Sequence, residues 1–209
     1  MKKINLDEYD IDIQDESFGA DDQEIIKVET NSSSITTALY EWMHSIVVAI
    51  VIVILLLTFV FRLVNIDGTS MCDTLFHQDK VIITNFFYEP EVGDIVVIPE
   101  GVASKIDKPI IKRIIALEGQ EVNINFETGE VSVDGEVLKE EYVSTQTTQN
   151  VGEVPIEYPL TVPEGQAFIL GDNRKVSLDS RSFGCVNVDD IIGKAQFVIF
   201  PFNNFGYLY

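Results

Sequence analysis

The chain has 209 residues and a formal net charge of −20, with 34 Asp and Glu against 14 Lys and Arg. That length holds one ordinary domain and an anchor rather than two large domains with separate cores, and the acidic balance excludes a surface that tracks nucleic-acid phosphates. Two cysteines, Cys72 and Cys185, and two histidines, His44 and His77, make neither a disulfide scaffold nor a zinc-ligand spacing, so no metal or cofactor is expected.

Residues 1–38 hold few apolar positions and no helical period, and eleven acids stand against three lysines through Ser45. They read as an acidic, disordered tail. Residues 39–63 read as a transmembrane helix, because Ile46 to Phe61 carries no charge, Gly or Pro, and its flanks extend it to the ~20 residues that cross a ~30 Å hydrocarbon core. Trp42 at one end and Phe61-Arg62 at the other suit interfacial anchors. A cleavable secretory signal would start near residue 1 with basic residues, unlike this run. Counting positive charges on either side favours neither orientation.

Residues 64–209 change to short β-branched runs between turn residues, the pattern of a mostly β domain. Expected strands are 80–86, 94–98, 110–117, 121–125, 130–133, 166–170 and 195–200. Asp134-Gly135 between Val133 and Val137 predicts a two-residue hairpin turn. Residues 141–165, with Pro155, Pro159 and Pro163, read as a long surface excursion. Phe86, Phe87, Phe200, Phe202 and Phe205 are assigned chiefly to the core, with lipid contact as the other reading.

Three stretches carry candidate chemistry. Gly68-Thr69-Ser70-Met71 follows the helix closely, and a serine after a glycine turn presents both its hydroxyl and its own N–H, as a nucleophile with an oxyanion donor requires. Such turns are more often structural. A base is then needed, and neither His44, at the apolar helix, nor His77, with no evident carboxylate partner, suits a Ser-His-Asp arrangement. Lys112 in Ile110-Ile111-Lys112-Arg113-Ile114-Ile115 suits it better. Strand alternation sets it with Ile110 and Ile114, and apolar surroundings favour the neutral amine that a general base must be. The bland reading is an edge strand with a solvated Lys-Arg pair. In the third stretch, Gly171 to Gly184, the residues Asp172, Arg174, Asp179 and Arg181 could interlock to stiffen a loop, with Ser177 fixing a lysine amine.

Taken together, these residues resemble the bacterial type I signal peptidase family. Four blocks stand in the family's order: Gly68-Thr69-Ser70-Met71 with Thr74-Leu75, Val92 to Val97, Ile111 to Leu117 with Gly119, and Gly171 to Arg181. The resemblance implies Ser70 as acylated nucleophile, Lys112 as base, and Gly68 where some members carry a second oxyanion serine. It further implies Ser177 as the lysine's orienting residue, Arg113, Asp179 and Arg181 as supports, and Met71 in the substrate pocket. It also implies signal-peptide-bearing pre-proteins as substrates cut after small residues, the lipid bilayer as a partner, and neither metal nor nucleic acid. The place implied is the cell membrane, crossed once, with the N-terminus cytoplasmic and a catalytic domain outside, as in Gram-positive members. Asp73 departs from the family's proline, and an acid there would raise the lysine's pKa. It keeps alive a rival reading, an inactive membrane-anchored escort module. The other rival, a self-cleaving repressor-type Ser-Lys protease, lacks support from any DNA-binding segment.

Overall fold

The computed structural model describes residues 2–6, 9–13, 33–102, 107–149 and 156–208. The chain divides into two compact units, Met1–Leu55 and Leu56–Tyr209.

The first unit opens with β1 (Lys2–Leu6) and β2 (Tyr9–Ile13), antiparallel, with Ile4 opposite Ile11 and Lys3 opposite Asp12. Part of the expected tail is therefore a hairpin, while residues 14–32 lie outside the described residues. Helix α1 runs Ser33–Phe59. Its most apolar stretch, Ile35–Leu56, has a mean hydropathy of 2.2 and is nowhere buried against protein. At ~1.5 Å per residue those 22 residues match the hydrocarbon thickness. A soluble helix would bury a stripe of such residues, so this one meets the length and composition required of a membrane span.

The helix begins earlier and stops earlier than 39–63. Phe61–Asn65 forms strand β3 and pairs in full with β4 (Lys80–Thr84). Apolar residues continue across the boundary, but Phe61, Leu63 and Val64 suit a strand, and the five-residue ladder decides the matter. Arg62 consequently belongs to a sheet, where it lines a small cavity with Val60, Ile83 and Phe86.

The remaining strands are β5 (Ile95–Ile98), β6 (Ile110–Leu117), β7 (Glu121–Asn125), β8 (Glu130–Val133), β9 (Glu136–Val137), β10 (Leu160–Thr161), β11 (Gln166–Leu170), β12 (Val186–Asn187), β13 (Gly193–Phe200) and β14 (Gly206–Tyr207). One short helix, α2 (Ser180–Phe183), precedes β12. The main sheet runs β12-β11-β6-β5-β13-β4-β3, with β14 also paired to β13. A four-stranded ribbon runs β10-β7-β8-β9. Asp134 and Gly135 turn from β8 to β9 with φ of 52° and 81°, as a type I′ turn requires.

β5 and β6 lie in the middle of the main sheet and read as unbroken apolar runs because both their faces are covered. Ile95 and Val97 enter a cluster with Ile66, Met71, Leu75 and Ile111, while Val96 and Ile98 enter another with Ile114 and Ile169. The ribbon's Val122, Ile124, Val131 and Val133 close a third cluster on Phe168 and Leu170. The late aromatics stay out of all three. Phe87 is 89% exposed and Phe202 82%, with Phe86, Phe200 and Phe205 also exposed, which corrects their assignment to the core.

Candidate active site

Ser70 lies in the connection between β3 and β4, on a turn stabilised when the N–H groups of Thr74 and Leu75 donate to the Met71 carbonyl, both at 2.8 Å. Two residues before it, Gly68 holds φ of +121°, a conformation that side chains rarely adopt. A second element pins the turn from outside: Asn173 donates its backbone N–H to the Ser70 carbonyl at 3.0 Å and its side-chain amide to the Thr69 carbonyl at 3.1 Å. The Ser70 N–H itself donates to no acceptor among the described residues.

Lys112 sits on β6 opposite Val96 of β5, two strands in from the β12 edge and four from the β3 edge, and is 2% exposed. The solvated-edge reading therefore fails. Its Nζ donates to Ser70 Oγ at 2.8 Å and to the Ile111 carbonyl at 2.8 Å. Burial pushes the lysine pKa down to about 8, against the pull of Asp179 and Asp172 and with help from Arg181. The carboxylates that act on it are thus the two buried ones. Asp73 is exposed and instead helps raise the Cys72 thiol, after burial.

Ser177 lies beside this pair without joining it. Its Oγ is buried and has no hydrogen-bond partner among the described residues, so the expected bond to the lysine amine is not made. Ser177 Oγ stands against Gly171, where a β-carbon would lie 2.2 Å from that oxygen and 2.5 Å from the Ser70 carbonyl. Only glycine lets the loop after β11 approach the turn so closely.

That loop is held by buried ion pairs. Asp172 accepts from Arg113 Nε at 3.0 Å and Nη2 at 2.7 Å, and from the Thr74 hydroxyl at 2.5 Å, tying β6 to the turn that carries Ser70. Asp179 accepts from both Arg181 Nε and Nη2 at 2.9 Å and from the Gly171 N–H at 3.1 Å. Arg174 reaches Gly171, Thr147 and Glu140, and Arg181 reaches Gln149. The excursion after β9 is therefore more than surface: its first residues fasten onto two buried arginines and Tyr142 covers a third, Arg113. Breaking such a pair by removing one partner leaves an uncompensated buried charge, a cost of about 3–5 kcal/mol.

Met71 is 1% exposed and packs with Ile66, Leu75 and Ile111. Cys72 and Cys185 are both free thiols. Sequence reasoning missed a carboxylate against His77, because Asp67 precedes the turn and His77 follows it: His77 Nδ1 lies 3.4 Å from Asp67 and 3.4 Å from the Gly68 N–H.

The pattern that defines the family described as signal peptidase, peptidase S26 matches residues 39–200. Signal peptidase I of Bacillus licheniformis is 32% identical over 184 residues, covering 84% of this chain and 96% of that protein. A probable signal peptidase I-1 of Synechocystis is 37% identical over 171 residues, 78% and 83% of the two chains. Signal peptidase I T of Bacillus subtilis is 33% identical over 183 residues, 84% and 92%.

Proposed function

The chain belongs to the type I signal peptidases of family S26, proteases that remove signal peptides, and on that footing we propose that it cuts by a Ser70–Lys112 dyad through an acyl-enzyme. The observation that carries this reading is the 2.8 Å contact between the Ser70 hydroxyl and an amine whose pKa burial lowers to about 8. Neutral Lys112 takes the Ser70 proton as the oxygen attacks the scissile carbonyl. The free Ser70 N–H meets the oxygen that becomes negative. The resulting lysine ammonium then protonates the departing amine, leaving the signal peptide esterified to Ser70. Water, deprotonated by the same lysine, hydrolyses the ester and restores the serine.

Ser177, Gly68, Arg113, Asp179 and Arg181 serve this chemistry by holding the turn and the loop, and Met71, buried against Ile66, Leu75 and Ile111, anchors the turn in the core rather than walling a substrate pocket. Cleavage after small residues follows from the family resemblance. The same reading divides the chain into a cytoplasmic N-terminal segment, one membrane-spanning helix and an extracytoplasmic peptidase domain. The bilayer concentrates enzyme with substrate, since a signal peptide presents its scissile bond next to the lipid.

The test uses the full chain in detergent with a synthetic signal-peptide substrate. Wild type must cleave well above Ser70→Ala and Lys112→Ala. Equal rates in all three sink the assignment of the dyad.

A further inference from the structure

His77 Nδ1 faces two groups that cannot be satisfied together. The Gly68 N–H is a donor at 3.4 Å and the Asp67 carboxylate an acceptor at 3.4 Å. A neutral ring with its proton on Nε2 offers Nδ1 as acceptor and takes the Gly68 bond. Once Nδ1 is protonated it becomes a donor, turns to Asp67 and no longer accepts from Gly68. Among the described residues, the charged groups in contact on this side are Asp67 and, 3.5 Å from the other Asp67 oxygen, Lys108.

Gly68 needs an outside tie. It holds φ of +121° with open space where a β-carbon would stand, so neither sterics nor packing confines it. Asn173 fixes the carbonyls of Thr69 and Ser70, and backbone bonds to Asp79 and from Gln78 fix Ile66, so the bond to His77 is the tie at Gly68 itself, between those two anchored points. We infer that His77 is a positioning residue for the nucleophile turn, and that its proton switches the turn between a form held for attack, through Gly68, and a released form paired with Asp67. The inference rests on the dyad reading and adds a second, acid-side control on the same site. His77 is not the base: its polar contacts are with Asp67 and Gly68, and Lys112 holds the Ser70 hydroxyl.

The experiment is the pH profile of kcat/KM, from pH 5.5 to 9, for the full chain in detergent with a synthetic signal-peptide substrate. Lys112 alone gives a log-log slope of 1 on the acid side, and protonation of His77 adds a bounded further fall, no larger than the loss of its bond to Gly68, so that wild type steepens beyond 1 before returning to that slope. His77→Asn, whose side-chain oxygen can accept at the place of Nδ1 without taking up a proton, keeps wild-type kcat/KM at pH 8 within about twofold and holds a slope of 1 throughout. His77→Ala loses about three- to tenfold at pH 8, in kcat more than KM, the loss expected for one hydrogen bond. The inference is overturned if His77→Ala equals wild type at every pH, or if His77→Asn steepens as wild type does. An inactive His77→Ala, as dead as Ser70→Ala, would make the histidine the base and overturn the dyad too. Activity retained in Lys112→Ala would overturn the dyad alone.

Discussion

The guanidinium carbon of Arg113 lies 3.9 Å from the ring centroid of Tyr142, so a residue of the excursion beyond the ribbon covers the cation that holds Asp172. Tyr142 adds a hydroxyl bond to Glu140, which pairs with Arg174. One aromatic ring thereby joins two buried arginines. Tyr142→Ala should cost about 2–3 kcal/mol, from lost ring burial and the stacked cation, and lower kcat/KM along with stability. Tyr142→Phe keeps the ring and should stay within about 1 kcal/mol of wild type. Thermal unfolding beside peptide cleavage checks both.

Gly171→Ala should separate activity from stability. The added methyl collides with Ser177 Oγ and with the Ser70 carbonyl, and the carbonyl has less room to yield. Overpacking of this kind costs about 1–3 kcal/mol, whereas a misplaced nucleophile costs about a hundredfold in kcat/KM. Adding Ser177→Gly relieves only the first collision, so the double variant should regain stability and stay slow. Full recovery of cleavage would place the damage at Ser177 instead.

Burying Lys112 costs stability. Its pKa falls from 10.5 to about 8 on folding, so between those values the unfolded chain binds a proton that the folded chain has released. Stability from this group therefore rises with pH across that window, and the full penalty, about 3 kcal/mol, stands below pH 8. Lys112→Met loses two hydrogen bonds but escapes the penalty, so it should unfold at a higher temperature than wild type at pH 7. The gain should shrink by pH 10. A Met variant less stable at pH 7 would mean that the amine is not desolvated.

The proposed orientation can be read with a thiol reagent that does not cross membranes. Cys185 is a poor reporter, because burial pushes its thiol up to about 11 and it packs beside the ribbon cluster. Glu127→Cys, at an exposed turn, in a Cys72→Ser and Cys185→Ala background, should label in intact cells. Labelling only after lysis would put the domain on the cytoplasmic side.

Much of this arrangement was legible in the residues. The β-branched runs located the seven main strands, Asp134-Gly135 announced its turn, and Ile110 to Ile115 put Lys112 in apolar company. β3 was hidden because its apolar residues continue those of α1, and hydropathy alone does not mark where a helix becomes a strand. The two-residue strands β9, β10, β12 and β14 are too short to carry a period. Pairings across the fold, such as Arg174 with Glu140, Arg113 with Tyr142 and His77 with Asp67, have no local signature, since each partner alone is an ordinary polar residue. Ser177 reads, from its stretch and from the resemblance alike, as the residue that fixes the lysine amine, but its hydroxyl stands beside Gly171 and makes no bond to the lysine.

The most direct test of the dyad is the dependence of kcat/KM on pH for the wild-type chain at and above neutrality. A buried, neutral Lys112 predicts an acid limb with its midpoint near pH 8, lost together with activity in Lys112→Ala. A midpoint near the ordinary lysine value of about 10.4, or the same limb surviving in Lys112→Ala, would contradict it.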